Sequence, residues 1–375
     1  MNTIYSKLRE RLDTYSLGFP ATESGIELNI LKKIFNESDA EFFMDLSVKL
    51  ESADDIASRL NKPVDEIKTK LEDMSQRGLI FRQNSSGNIR YGAIPFMHGI
   101  AEFQIKRLDK ELADLLEQYF SEGYNKTIAQ SADLFLRVIP VQKYIDIEHH
   151  IASYEDVSAI LDKMSTIVVT ECFCRKQKKL RGEGCSRHPE ACFMFGSMGQ
   201  YYIDNNMGRK VTKDEALKII ADAQKSGLVT QPGTSQNPAG MCNCCGDCCA
   251  VLGAIKKHPN PAEIVFSNHY ASINHDNCIG CESCIDICPM EAISLNDSGQ
   301  AEVNLTRCIG CGVCLTACDY EATRLNAKAD QNKREVPAST RDQMIMMAKE
   351  MSSRNIPGGK RWPVPRAENL TTFMC

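Results

Sequence analysis

Cys278-Ile-Gly-Cys281-Glu-Ser-Cys284-Ile-Asp-Ile-Cys288-Pro289 is a C-x2-C-x2-C-x3-C-P run, and Cys308-Ile-Gly-Cys311-Gly-Val-Cys314-Leu-Thr-Ala-Cys318 repeats its cysteine spacing thirty residues later. Three thiolates separated by two residues each wrap three corners of one compact iron–sulfide cube, while the intervening backbone amides point at its sulfides. The fourth thiolate lies past the loop on a short helix and points the other way, towards the opposite cube. The spacing therefore predicts two [4Fe–4S] clusters with exchanged ligands. Cys278, Cys281, Cys284 and Cys318 hold one; Cys308, Cys311, Cys314 and Cys288 hold the other. Gly280 and Gly310 let the loop backbone approach closely. Zinc knuckles would need paired C-x2-C units set further apart, and two copies of a four-cysteine run speak against them. Asp319 stands where a proline usually follows the fourth cysteine, a change beside a ligand that removes no ligand.

The 375 residues hold 18 cysteines, none before Cys172 and all but Cys375 between Cys172 and Cys318. Hydrophobic residues make up 43% and charged residues 25%, as in an ordinary globular protein, and the net charge of −5 is not that of a molecule built around a polyanion. A basic leader with an apolar stretch and cleavage site is not seen, nor is a run of eighteen apolar residues. The expected location is the cytoplasm, without membrane insertion, where clustered thiols are metal ligands more often than disulfides.

Nine cysteines precede the repeat: Cys172, Cys174, Cys185 and Cys192, then Cys242, Cys244, Cys245, Cys248 and Cys249. They are expected to bind metal, as one or two additional iron–sulfur clusters or as zinc. C-x-C is tighter than the spacing common in zinc sites, and the neighbouring repeat favours iron. A leftover thiol or an open iron would be the place for substrate chemistry. The run Arg175, Lys176, Lys178, Lys179 and Arg181 reads first as a solvated loop, and alternatively as a charge set against a cluster or a phosphate. No G-x-G-x-x-G or Walker loop accompanies it. His188, His258, His269 and His275 read as hydrogen-bonded histidines rather than ligands.

The expected fold class is α+β multidomain: an N-terminal winged-helix-like domain (1–97), a helical connector (98–165), a central α/β cysteine-rich region (166–262), a C-terminal bacterial ferredoxin-like domain with a ββ/α repeat (263–330), and a helix and tail (331–375). In the first, Ser52 and Asp55 mark a helix start, and Pro63 opens a second helix with Val64, Ile67, Leu71 and Met74 on one face. Gly78 ends it, and residues 79–91 read as a hairpin around Asn84-Ser85-Ser86-Gly87-Asn88. Residues 98–120 read as one amphipathic helix, Leu134 to Val141 as a strand, and Ser153 with Asp156 as the cap of a helix reaching Met164. A strand at Ile167–Thr170 leads to Cys172, Thr212 and Glu215 open a helix closed by Gly227, and Gln231 to Gly240 reads as a linker.

The segment from Ser267 to Ala327 resembles a bacterial-type two-cluster ferredoxin domain. More widely, the chain resembles a group of proteins from anaerobic bacteria that join a winged-helix-like N-terminus to a cysteine-rich centre and a ferredoxin end. The motifs that carry this are Glu171-Cys172-Phe-Cys174-Arg175, Gly182-Glu-Gly184-Cys185, Cys192-Phe-Met-Phe195-Gly196 and the run Cys242 to Cys249. The resemblance implies a ferredoxin-like electron carrier with no assigned substrate.

Three readings follow. The first is electron transfer to or from a redox protein or oxidoreductase complex. Residues 263–330 carry 10 Asp/Glu against 3 Lys/Arg, and residues 167–262 carry 13 Lys/Arg against 8 Asp/Glu. Opposite signs favour docking of the two regions, or steering of a basic partner. The second is a cluster-sensing winged-helix regulator. Nucleic acid is disfavoured, because residues 52–91 hold 7 Lys/Arg against 6 Asp/Glu and offer little to neutralise phosphates. The winged-helix region then serves docking or a homo-oligomer. The third is an iron–sulfur oxidoreductase with its active site at 172–249.

Overall fold

The computed structural model describes residues 3–145 and 152–354. The tail from residue 355, Cys375 included, lies outside the described residues. Helices α1 (Ile4–Leu12), α2 (Ile26–Ile34) and α3 (Glu37–Asp45) open the chain, with the Thr3 and Asn36 side chains capping the first and third. Helix α4 (Ala53–Leu60) begins at a complete capping box between Ser52 and Asp55. Helix α5 (Val64–Gln76) follows Pro63 and buries Ile67, Leu71 and Met74. Val64, expected on that face, is exposed, because it sits at the first helical position before the buried stripe begins. Strands β1 (Phe81–Ser85) and β2 (Asn88–Gly92) form the hairpin. Its two-residue turn has both Ser86 and Gly87 at positive φ, the twist that suits a tight hairpin. Glu51 bridges Tyr91 at the hairpin's edge.

The single helix expected over 98–120 is broken. An irregular turn at Phe96–Ile100, with His98 left-handed, leads to α6 (Ala101–Phe103) and then α7 (Lys110–Tyr119). The buried Gln104 amide donates to the carbonyls of Arg77, Gly78 and Ile100, and Asp109 caps a new start by accepting from Leu112 N–H at 2.8 Å. These local side-chain bonds compete with helix continuation. Helix α8 (Asn125–Phe135) takes in the first two residues of the expected strand. Residues 136–141 run extended but make isolated bridges only, Leu136 to Gly233 and Arg137 to Phe266. The buried Arg137 guanidinium fixes this segment by donating to the carbonyls of Ser235 (2.8 Å) and Tyr154 (2.7 Å). After α9 (Gln142–Ile145), Asp156 rather than Ser153 caps α10 (Val157–Asp162).

The central region is built on strands β3 (Ile167–Glu171), β4 (Glu190–Phe195), β5 (Arg209–Lys210), β6 (Val229–Pro232) and β7 (Gly240–Cys244), in the order β5-β3-β4-β7-β6. Helices α11 (Phe173–Leu180), α12 (Gly196–Asp204) and α13 (Lys213–Lys225) connect them. Every pairing is antiparallel, so the region is mixed helix and sheet without parallel β-α-β crossovers. The segment expected as a linker, Gln231 to Gly240, is the β6–β7 connection inside this sheet. Helices α14 (Ala250–Lys257) and α15 (Pro261–Ile264) lead on to β8 (His269–Ile273), α16 (Ser283–Asp286), β9 (Ile293–Leu295), β10 (Ala301–Val303), α17 (Val313–Thr316) and β11 (Thr323–Ala327). Here β8 pairs with β11 and β9 with β10, so the two thirty-residue repeats embrace each other.

Helix α18 (Thr340–Ser353) returns to α8, where Gln343 donates to the carbonyls of Leu134 and Phe135. An apolar core runs from Tyr5 to Met351, and a second packs α10 and α13 on the sheet through Ile160, Val169, Phe193 and Ile220. Among the described residues no helix is long and apolar enough to cross a membrane.

Candidate metal centres

The two cysteine repeats fold as one near-symmetric unit. Ala271 N–H donates to Cys308 Sγ and Ala301 N–H donates to Cys278 Sγ, both at 3.3 Å. Ala292 N–H meets Cys288 Sγ at 3.4 Å, and Ala322 N–H meets Cys318 Sγ at 3.3 Å. Donors and acceptors are offset by thirty residues in each case, and strand β8 of one repeat serves the first cysteine of the other. Amide donors of this kind stabilise thiolates over thiols.

A cavity is lined by Cys288, Cys308, Cys311 and Cys314 together, the set that includes a fourth cysteine from the other repeat. On the other side, burial pushes the Cys284 thiol up to about 11, with charge on Cys318, Cys278 and Cys281 adding to the rise. The loops are tight. Gly280 and Gly310 both have positive φ, and a Cβ on them would lie 2.2 Å from the Gly299 carbonyl and 2.1 Å from the His269 carbonyl. The close approach demanded of these glycines is thus to protein backbone. Four converging thiols with amide donors fit a [4Fe–4S] group at each of the two sets. The sets differ in surroundings: Cys281 and Ile279 are exposed, whereas Cys314 is buried and the Cys311 carbonyl accepts from Val141 N–H at 3.1 Å.

The nine remaining cysteines separate into six and three. Cys172 caps α11 and Cys174 lies in its first turn; Cys192 on β4 pairs directly with Cys242 on β7; Cys244 follows two residues on; Cys249 caps α14. Residues two apart on a strand share a face, so Cys242 and Cys244 turn to the same side. All six line a cavity of about 230 Å³, whose other walls include Met97, Met198, Tyr202, Phe135, Met344 and Met347. Thiol neighbours Cys174 and Cys192 hold the Cys172 thiol well below its ordinary value. Thiol–thiol interactions also link Cys174 to Cys249, Cys249 to Cys244, Cys244 to Cys242 and Cys242 to Cys192, closing a ring.

Cys185, Cys245 and Cys248 form the other group, with their sulfurs within 4.8 Å of one another. The Cys245 thiol is pushed down to about 5, chiefly by its bond with Cys248. Arg175 reaches towards both groups. It is buried, and only its Nη1 has a partner, the Asn243 carbonyl at 3.1 Å; Nε and Nη2 have none. Burial works against its charge, and thiolates at Cys172, Cys192, Cys244 and Cys245 favour it. A buried guanidinium with two open donors in the field of these thiols fits an anionic thiolate–metal centre. Three others of the basic run are paired at the surface: Lys176 with Glu171, Lys178 with Glu117, Arg181 with Asp114. Among the described residues no histidine joins a cysteine group. His188 and His258 meet nearby carbonyls, and burial lowers the deeply placed His269 to about 4.

Two features of this site were not expected from the sequence, the cavity and its methionine-rich wall. Their residues come from α18, α12 and the 94–103 segment, far apart in the chain.

Residues 277–322 match the 4Fe–4S dicluster domain family. A probable ferredoxin of Methanosarcina thermophila is 61% identical over 31 residues, which are 8% of this chain and 53% of that protein. The chain thus spans about half the length of the curated relative it matches. No solved structure matches the chain. The protein is therefore an iron–sulfur, metal-binding protein with a 4Fe–4S dicluster domain of ferredoxin type at 277–322.

Proposed function

We propose that the chain is an electron-transfer protein that links a redox partner, docking at the exposed Cys281 side, to the thiol-lined centre at 172–249. The observation that carries this reading is the placement of the two ligand sets. When bound, each [4Fe–4S] group takes up and gives back one electron at a potential set by its surroundings. Around Cys281 the residues Asp276, Glu282, Asp286, Asp319 and Glu321 are exposed. This acidic rim would steer a basic partner. On the opposite side the Cys242–Cys249 run lies against the dicluster unit: a Cβ on Gly246 would stand 2.6 Å from the carbonyl of Pro289, the residue after Cys288. Lys256 pairs with Glu291 and the Arg307 guanidinium donates to the Lys256 carbonyl, which supports attraction between the basic centre and the acidic dicluster unit.

In this reading Cys278, Cys281, Cys284 and Cys318 form one ligand set and Cys308, Cys311, Cys314 and Cys288 the other. The six-thiol ring of Cys172, Cys174, Cys192, Cys242, Cys244 and Cys249 is an additional iron–sulfur centre. Protein isolated without oxygen is expected to carry more iron than the about eight atoms of two cubes. Colourless, iron-free protein with free thiols at 278–318 would refute the proposal. A count near eight would leave the dicluster unit and reject the additional centre.

The oxidoreductase reading is favoured by the cavity beside the ring, which offers space for a small molecule. A new spectroscopic signal on adding a candidate substrate to reduced protein would establish it. The regulator reading is weakened further: Lys70 of α5 and Arg77 just after it are held by Asp39, Arg82 by Glu72 and Asp204, and Gln83 by Ser197. The helix–hairpin unit is thus used for docking within the chain, and binding to duplex DNA that weakens with salt would overturn this.

A further inference from the structure

We propose that Cys185, Cys245 and Cys248 form a separate mononuclear site for one thiophilic divalent ion of the zinc class, open at its fourth position. The site concerns the same cysteine-rich region as the additional centre, but it does not rest on the electron-transfer reading.

Cys185 Sγ lies 3.7 Å from Cys245 Sγ and 3.7 Å from Cys248 Sγ, and all three fall within 4.8 Å of one another. Tetrahedral zinc with Zn–S of about 2.3 Å places its sulfurs about 3.8 Å apart. On a cube each thiolate sits on its own iron and points outward, so no three of the thiolates stand within mutual reach. Three sulfurs in mutual reach suit a single ion and leave no room for a cube between them.

The chain also divides its cysteine pairs between the two groups. Cys244 and Cys245 are adjacent, as are Cys248 and Cys249, yet one member of each pair joins the six-thiol ring and the other joins the trio. Cys244 and Cys245, at the end of β7, face opposite ways, as neighbours on a strand do, while Cys248 lies in the turn before Cys249 caps α14, so one short run builds two sites.

Gly184 has φ +94, and a Cβ there would lie 3.0 Å from Cys248 Sγ and 2.9 Å from Lys178 Cβ. Only glycine fits so close to that sulfur. Cys185 N–H donates to Cys248 Sγ at 3.3 Å, and Cys248 N–H donates to Cys245 Sγ at 3.4 Å. Arg187 is held by Asp247 (2.9 Å) and the Ser226 carbonyl (2.7 Å), which keeps a positive charge beside Cys185. Two amide donors and a guanidinium offset the single negative charge that three thiolates leave on a divalent ion. Among the described residues no histidine, carboxylate or fourth cysteine completes the group. Cys245 and Cys248 are buried while Cys185 is half-buried, so the open position faces outward along Cys185. Three protein ligands with a free position is the arrangement of reactive rather than purely structural zinc.

The test uses the full chain, produced with both iron and zinc supplied and purified without oxygen. Metal analysis should give one zinc per chain in addition to iron. Replacing that ion with Co2+ should give the visible d–d bands of a tetrahedral ion and a thiolate-to-cobalt charge-transfer band. Cys185→Ser should weaken zinc retention against a chelator by more than the about 10–100-fold typical of losing an outer-shell partner, with the iron count unchanged. Cys174→Ser, in the ring, should lower iron and keep zinc. Wild-type protein with no tightly held divalent ion, or a six-coordinate cobalt spectrum, overturns the proposal even if the variants misfold. Loss of iron in place of zinc from a folded Cys185→Ser chain overturns it too. A normal zinc result in protein whose dicluster iron is absent would leave this site standing while refuting the electron-transfer reading.

Discussion

Gly310→Ala is expected to damage one ligand set through the backbone alone, without touching a cysteine. Gly310 has φ +66, a conformation that costs a residue with a Cβ about 1–2 kcal/mol. The added Cβ would lie 2.1 Å from the His269 carbonyl oxygen, 2.5 Å from its carbon and 2.7 Å from Ser267 Oγ. Relief requires the start of β8 to retreat by roughly 1 Å, and overpacking of that kind adds about 1–3 kcal/mol. The total is about 2–5 kcal/mol. The same strand pairs with β11 through His269 and Ala327 and presents the Ala271 N–H to Cys308 Sγ, so its retreat reaches the thiols directly.

Gly87→Ala is the matched control. Gly87 has φ +88 but an added Cβ would meet nothing within 4 Å, so only the conformational cost remains. The assay is an oxygen-free thermal melt followed both by far-ultraviolet dichroism and by bleaching of visible absorbance, together with iron counting. Gly310→Ala should bleach at a distinctly lower temperature than Gly87→Ala and retain less iron. Equal midpoints and equal iron in the two variants would refute the claim that the loop glycines are required by backbone crowding.

Cys311→Ala should remove about four irons and one cluster signal while the helical dichroism of the N-terminal half persists; global unfolding would show that the ligand sets staple the whole chain. Asp39 is fully buried and bonded to Lys70 and Arg77. Burial alone would raise its carboxyl, but the two cations hold it below the ordinary carboxylate range. Its stabilising effect is therefore whole above about pH 4 and is lost as the pH falls through the lower folded value. Asp39→Asn should cost on the order of 2–3 kcal/mol near neutrality, less than a fully buried pair because both cations stay partly exposed, and should flatten the acid side of the stability curve; a parallel, merely shifted pH profile would contradict this. Arg175→Gln removes a buried positive charge beside the six-thiol ring, so the reduction potential measured for that centre should fall with the iron count retained. An unchanged potential would show that the guanidinium does not face the metal.

Local signals were legible where one short stretch of chain decides its own geometry. The Ser52 capping box, the Ser86-Gly87 turn, the Thr212 cap and the Gly227 stop all stand where residue chemistry places them, because each depends on bonds or φ values within a few residues. Misreadings occurred where distant groups intervene. Gln104 breaks a periodic helix by bonding Arg77 and Gly78, and Arg137 holds an apolar, strand-like stretch out of a regular ladder by bonding Ser235 and Tyr154.

For the site, the chain's own spacing predicts two exchanged ligand sets of four cysteines each, since C-x2-C-x2-C-x3-C leaves few ways to surround a compact cube. That spacing says nothing about the other nine. Their division into six and three follows from β4 pairing with β7 in the register that sets Cys192 against Cys242, and from Cys244 and Cys245 turning to opposite sides of one strand end. Register and sidedness are properties of a folded sheet, where shifting the alignment by one residue would exchange the faces. The cavity beside the six likewise exists only because α18 and the 94–103 segment close over the sheet, which no local pattern encodes.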